Sequence, residues 1–559
     1  MRPLALLASL YPWPVDPSED LRVALRTLGW ERPAGEVVRS GYGAGLLVAL
    51  GTTVLWLLPG TGLLVAIIGC GLAVLAVHAV HATPRLWATA RRTRALGSAP
   101  DLVSRAVLRM RLSPSPERAA AFAAEAGEGR LAASLGRHVR RARYTGHPAL
   151  DAFGEEWAAS LPSLDRALAL VAAAGSARAS ERDRVLDRAL STVLAGTRDQ
   201  VRTFAANVRG PATALYAFGV LLPTALVALL PAAGAAGVVV TPVSVALVYN
   251  LLLPVVLAVA AAWLLARRPV AFPPPTVADH PDAEPSSWAL PAGVLVGLAA
   301  WLVTARVVPP WGPPIAALGI GGGTALWLRY RPAVTFYDDL REAEQGLPDA
   351  LSLVGRRVAA GRAVETALVE TADELDGPMG DRLAAGARRQ RQLQVGVREA
   401  FLGQHGALDV VPSPRIRGSV AVLALATTEG RPAGEALLSL ADHVEELQRI
   451  ERESRHDLAY VCRTLSSTAT VFGPLVAGAT VALADGVAGD ALPGPEQSLG
   501  WLGAPVGVYV LVLAVLLTAL STGLRRGLDR PLVAHRAGGA LVGATSAYLC
   551  SYLFAGAVL

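Results

Sequence analysis

Apolar residues along this chain fall into long uninterrupted blocks, and between the blocks the pattern becomes helical and amphipathic. Spanning a bilayer takes roughly 20 mainly apolar residues as a helix, because lipid satisfies no backbone hydrogen bonds. Nine blocks meet or approach that length: Tyr42–Leu58, Thr61–Val80, Ala212–Ala233, Val240–Ala266, Trp288–Ala305, Ile315–Leu328, Thr464–Ala484, Leu499–Leu520 and Gly538–Leu559. The segments between them read as helices of a different kind. Leu347, Leu351, Val354 and Val358 recur at i, i+4, i+7 and i+11, one helical face, with Gly361 as a stop. Val364, Leu368 and Leu375 mark a next helix ended by "DGP", and a long amphipathic helix starts at Pro432 and runs to the membrane. No stretch alternates as a strand would. The expected fold is all-α: a polytopic membrane protein of about nine transmembrane helices with two cytoplasmic antiparallel helical bundles.

The two soluble segments are related. "APDLVSRAV" at 99 and "LPDALSLVG" at 347 open alike, and Asp101/Asp349, Glu117/Glu365 and Phe153/Phe401 each lie 248 positions apart. Further on, "TVFGPLV" answers "YAFGVLL". One offset held over about 50 residues points to an internal duplication. The expected organisation is a cytoplasmic N-terminal segment (1–41), spans 1–2 (42–82), bundle 1 (83–210) and spans 3–4 (211–266). A Pro-rich linker (267–287), spans 5–6 (288–328), bundle 2 (329–463), spans 7–8 (464–522), a loop (523–537) and span 9 (538–559) follow. The amino terminus, with prolines and acids after a short apolar run, reads as a segment that is not cleaved.

Charge sets the orientation. With the amino terminus inside, only Arg306 falls outside, so both bundles face the cytoplasm and the carboxyl terminus faces out. Residues 83–210 hold 21 Arg against 12 Asp+Glu, a net +9, whereas residues 335–462 hold 15 Arg against 21 Asp+Glu, a net −6. Either these are solvated faces, or the copies have specialised, the basic one for acidic lipid or an acidic partner and the acidic one for a basic surface. "RHVRRARYTGH" at 137–147 is the densest basic patch, but no nucleic-acid module accompanies it.

Composition narrows the chemistry. Hydrophobic residues make up 53% of 559 and the mean hydropathy is +0.42, too apolar for an ordinary soluble protein. All 51 basic residues are arginine. The absence of lysine excludes a lysine-dependent P-loop and a Schiff-base lysine. Cys70, Cys462 and Cys550 lie far apart, the nine histidines do not cluster, and "HVEE" at 443–446 reads as a helix surface. Neither catalytic residues, a metal site nor a cofactor site is expected, and the chain does not read as an enzyme. "GIGGG" at 319–323 and the spaced glycine pairs 293/297, 319/323, 503/507 and 539/543 suit close helix packing. Asn250, deep in a span, is expected to hydrogen-bond to a neighbouring helix. Charges are absent from span centres, which argues against an ion-coupled transporter.

The segment "LPDALSLVGRRVAAGRAVETALVETADELDGPMGDRL", then "VREAF", then "VPSPRIRGSVAVLALATTEGRPAGEALLSLADHVEELQRIERE", and a span opening "TVFGPLV", resembles the type II secretion system F domain. That family includes the platform proteins of type II secretion, type IV pili, Tad pili and archaella. Ala360–Gly361 with Ala367–Leu368, and Glu429–Gly430 with Gly434–Leu437, match its pattern; "RLSPSPERAA" of the first copy lacks the glycine. The many-span arrangement is most similar to archaeal or Tad-like platforms. The resemblance implies an integral membrane platform with a hexameric secretion ATPase and pilin-like subunits as partners, besides the lipid bilayer, and a homodimer by analogy. Bundle 2, with Asp349, Gly361, Glu365 and Glu429, is the expected ATPase contact, or else these residues only begin, end and pack helices. The alternatives are a polytopic transporter and a signalling scaffold.

Overall fold

The computed structural model describes residues 2–30, 32–57, 63–127, 129–235, 241–268, 283–409, 411–429, 432–491 and 500–558. The side chains of residues 2, 3, 112, 179, 234, 235, 426, 428, 429, 432, 433 and 487–491 are outside the description. Most of the expected Pro-rich linker and parts of three loops between spans also lie outside the described residues. All regular structure among the described residues is helical.

The first half begins with α1 (Arg2–Ser9) and α2 (Glu19–Leu28), which pack on the long helices α3 (Ala34–Trp56) and α4 (Leu63–Leu96). Helix α4 continues past the expected end of its span and through Pro84 into the first bundle. That bundle is α5 (Ala99–Leu112), α6 (Pro116–Ala126), α7 (Gly129–Thr145), α8 (Ala149–Ala158), α9 (Pro162–Ala174) and the membrane-directed α10 (Ala179–Tyr216). Its core is built from small and branched residues, among them Ala99, Val103, Leu131, Leu164 and Val171, around the fully buried Phe153. Helices α11 (Leu222–Ala235), α12 (Pro242–Leu247) and α13 (Leu253–Ala266) follow.

The second half repeats this order. Helices α14 (Ala289–Thr304), α15 (Gly312–Ala316) and α16 (Gly322–Arg329) precede α17 (Arg331–Gln345). The second bundle is α18 (Leu347–Ala359), α19 (Val364–Glu374), α20 (Pro378–Leu393), α21 (Val397–Leu402), α22 (Pro414–Glu429) and α23 (Pro432–Ser467). It closes around buried Phe401, Leu351, Leu368, Leu383 and Leu437. Helices α24 (Gly473–Ala491), α25 (Gly503–Arg526) and α26 (Arg530–Val558) complete the chain. The first residues of α5 and α18, α6 and α19, and α8 and α21 are each 248 positions apart, and Phe153 and Phe401 fill the same place in their bundles.

Among the described residues, seven helical stretches are long and apolar enough to cross a membrane. The other two expected spans are shorter. Trp288–Ala305 yields a 16-residue helix, and Ile315–Leu328 lies within α15, a widened turn and α16. At 1.5 Å per residue a 16-residue helix covers about 24 Å, less than a hydrocarbon core of about 30 Å. Glycine binds this pair. A Cβ on Gly321 would stand 2.6 Å from the Gly297 Cα, and one on Gly323 would stand 2.7 Å from the Gly538 carbonyl. Three of the four spaced glycine pairs therefore mark close packing within the chain. The pair 539/543 does not: a Cβ there would meet nothing closer than 3.6 Å.

Four turns of the apolar helices are widened to π geometry: 217–221, 248–252, 317–321 and 468–472. Three of them end two residues before a proline, Pro223, Pro254 or Pro474. Proline has no N–H for the carbonyl four residues back and its ring crowds that carbonyl. Widening the preceding turn relieves the crowding. The Gly219 carbonyl, which Pro223 cannot serve, accepts instead from the Tyr509 hydroxyl, and the Pro223 carbonyl accepts from Tyr249 at 2.6 Å. The two tyrosine rings meet edge to face, 5.6 Å apart. Asn250, in the second widened turn, does not hydrogen-bond across helices as expected: its Oδ1 is buried without a partner.

Candidate functional site

The two bundles dock through the helices that enter the membrane. Leu194 on α10 packs with Leu447 and Ile450 on α23. One turn on, Arg198 Nη2 donates to Glu453 at 2.6 Å. Helix α5 adds a second seam: Leu108 belongs to the core of the second bundle, and Arg105 lies over Gly418, where a Cβ would stand 2.5 Å from its guanidinium. His443 lies in this seam beside Asp101 and Ser104, buried, its Nε2 without a hydrogen-bond partner. It is a core residue and not the helix-surface residue expected from "HVEE". Burial pushes its pKa down to about 4, against the opposing pull of Asp101.

Below the docked region, equivalent places in the two halves are filled differently. Each is walled by the last turns of the helix entering the bundle (α4 or α17), the start of the fifth bundle helix (α9 or α22) and the middle of the long helix (α10 or α23). In the second half, charges occupy it. Arg415 pairs with Glu451 at 3.0 Å and reaches Glu344 at 4.0 Å, Arg341 lies 3.6 Å from Glu451, and Arg455 pairs with Glu451 from one turn on. Ser413 donates to Glu344 at 2.6 Å, and Gln448 donates to the Glu344 carbonyl at 2.7 Å. Burial alone would raise the Glu451 carboxyl, but Arg415, Arg455 and Arg341 hold it below its ordinary value. The remaining void is about 250 Å³. In the first half the same place is an open cleft of about 890 Å³. Arg92, Arg166, Arg267, Asp199, Gln200 and Asn207 line it, together with Trp263 and Phe204. Arg267 lies over the Trp263 ring, 4.0 Å from its centre.

The residues expected to meet a partner sit at separate points of the second bundle. Asp349 is exposed in the first turn of α18. Gly361 is exposed just past the other end of that helix, with φ +93°, a conformation glycine adopts without strain. Twelve residues of helix put about 18 Å between them. Glu365 is exposed in the first turn of α19, beside Gly361 in sequence. Glu429 ends α22, and its side chain lies outside the described residues. This end is tied together: a Cβ on Gly434 would stand 2.5 Å from the Ala359 amide, and Arg357 clamps α18 to α19 through Glu370 at 3.2 Å, Glu374 and Thr371. The structure thus gathers Gly361 and Glu365 at one corner and leaves Asp349 along the helix flank.

The surfaces carry the charge contrast. Asp349, Glu365, Asp373, Asp376 and Asp381 are exposed on α18–α20 and form no salt bridge among the described residues. On the first bundle, Arg140, Arg141 and Arg143 project from α7 beside Tyr144, which is 90% exposed. Among the described residues no group of three or more His, Cys, Asp or Glu could hold a metal ion. What this arrangement does is position and connect: two charged surfaces joined by continuous helices to an apolar layer. No protein-family model, no curated protein and no solved structure matches the chain.

Proposed function

We propose that this chain is an integral membrane platform of a type II secretion or type IV pilus-like assembly machine, coupling a cytoplasmic secretion ATPase to the assembly or extrusion of pilin-like subunits. One observation carries the reading. Ser180–Ala233 and Gly434–Gly486 are unbroken helical stretches of 54 and 53 residues, each starting inside a bundle and ending in the apolar layer. At 1.5 Å per residue each is about 80 Å long. A displacement applied at a bundle is therefore carried into the membrane without crossing a loop. The recurrent element order and the 248-residue spacing of helix starts support an origin by duplication, with two bundles and up to nine spans if the short glycine-bound pair also crosses. The arginine distribution supports an orientation with both bundles in the cytoplasm and the carboxyl terminus outside.

In this reading the acidic face of the second bundle meets the ATPase, with Asp349, Gly361 and Glu365 on it and Glu429 at its edge. The test is co-purification of the detergent-solubilised full chain with the secretion ATPase of the same cell. The expected result is a stable complex that D349R/E365R weakens. A chain that retains no ATPase in any nucleotide state, yet supports solute flux in liposomes, overturns the platform reading.

A further inference from the structure

A further cavity, below the bundle cores, lies where α23, α25 and α26 meet. Its volume is about 370 Å³. Arg463, Arg525 and Arg536 line it, with the hydroxyl residues Ser466, Thr470, Thr518, Ser521 and Thr522, and no carboxylate is among its walls. Ser521 donates to the Cys462 carbonyl at 3.3 Å and Thr470 to the Ser466 carbonyl at 2.8 Å. Thr518 and Thr522 are 5% and 1% exposed, and their hydroxyls have no hydrogen-bond partner. A helical threonine usually satisfies its hydroxyl on the carbonyl four residues back. Two side by side that do not are a pair of buried donors awaiting an acceptor.

Arg463 and Arg525 are exposed and Arg536 is half-buried at the mouth of the cavity. Arg463, Arg525 and Arg536 form no salt bridge among the described residues. Asp338, whose charge bears on Arg536, is engaged by Arg526 at 3.5 Å, and Arg268 donates to the Arg525 carbonyl at 3.4 Å. Three like charges around one cavity repel one another unless an anion joins them. The site lies at the edge of the apolar layer. The apolar part of α23 opens just after Arg463, that of α25 closes just before Arg525, and that of α26 begins just after Arg536. Guanidiniums at the rim and hydroxyls beneath match a phosphate entering from the headgroup level.

We infer that this cavity binds the phosphate of an anionic membrane phospholipid. Basic pockets between spanning helices are where such headgroups are held. The inference needs only the membrane placement of the apolar helices and is independent of any ATPase or pilin partner.

The experiment uses the purified full chain in detergent, titrated with phosphatidylglycerol, phosphatidylcholine or inorganic phosphate. Retained lipid is counted by native mass spectrometry and thermal stability is followed in parallel. The expected result is saturable retention of phosphatidylglycerol with a rise in Tm, at a lipid level where phosphatidylcholine gives neither. R463Q, R525Q and R536Q each weaken retention by about tenfold or more. T518V/T522V preserves volume and every charge, and weakens it as well, which separates loss of the site from loss of the fold. R166Q, in the cleft of the first half, leaves it unchanged. Equal retention of both lipids, undiminished retention in the arginine and threonine variants, or inorganic phosphate alone reproducing the stabilisation overturns the inference.

Discussion

Two polar residues of the bundles give opposite lessons about charge. His443 is held neutral in the seam between the bundles, its pKa pushed down to about 4 by burial. The unfolded chain protonates a histidine near 6.5, so between 6.5 and 4 the unfolded state binds the extra proton and the folded state does not. The stability this residue permits is complete above about pH 6.5 and declines as pH falls towards 4. Thermal unfolding of the full chain at pH 7.5 and 5 measures the decline, and H443L is expected to show a smaller one. Glu451 is partly buried, its side chain 22% exposed, and stays charged because three arginines surround it. E451Q leaves those arginines without their common partner. The expected loss is about 2 kcal/mol, read as a lower unfolding midpoint, because breaking a partly buried ion network costs more than the network contributes when intact. Histidine burial could have been read from spacing. Leu440, Val444 and Leu447 mark the inward face of α23, and His443 falls on that face. Reading "HVEE" for its chemistry instead of its period put the residue on the wrong side.

Elements were legible wherever periodicity or proline spoke. Seven of the nine apolar blocks lie in helices long and apolar enough to span a membrane, and the helix over Leu347–Val358, its stop at Gly361 and the long helix from Pro432 stand where the pattern placed them. The widened turns had a signal too, a proline two residues beyond three of them, but a count of apolar residues does not register it. Span lengths were less legible. Trp288–Ala305 is apolar enough, yet its helix closes at 16 residues, because "RVVPPWGPP" turns the chain into α15. What holds that short pair is backbone contact between glycines, so its packing has no slack. G321V would drive side-chain carbons into the Gly297 backbone, where even a Cβ has only 2.6 Å. Loss of several kcal/mol and poor accumulation in membranes are expected, whereas G322V, at a position with no neighbour within 4 Å, should accumulate near wild-type levels.

At the scale of the whole molecule, the contact between halves was the least legible feature. Arg198 and Glu453 are 255 residues apart, and each sits on a helix whose pattern announces only that it is amphipathic. The cleft likewise draws Arg92, Arg166 and Asn207 from three helices and Arg267 from the turn after α13, and no spacing rule connects them. The pair between the long helices is accessible to a direct test. R198E and E453R should each weaken bundle docking, read as faster proteolysis of the bundles in the intact chain. R198E/E453R should recover part of the loss, with a coupling of about 1 kcal/mol for a half-exposed pair.

The unequal filling of the two halves has a mechanical consequence. A load shared by both bundles meets one arm with a void of about 890 Å³ at its base and one whose base is pinned by five charged side chains. The first arm can yield, since Arg92, Arg166 and Asn207 on the cleft walls form no ion pair or side-chain hydrogen bond among the described residues. The second can only tilt as a unit, since each guanidinium would have to leave a carboxylate it neutralises. In the proposed platform this makes a lever with one compliant and one stiff limb, and the direction of its bending is built in. Hydrogen exchange should show it: amides of residues 196–208 exchange faster than those of 448–460, and E451Q narrows the difference.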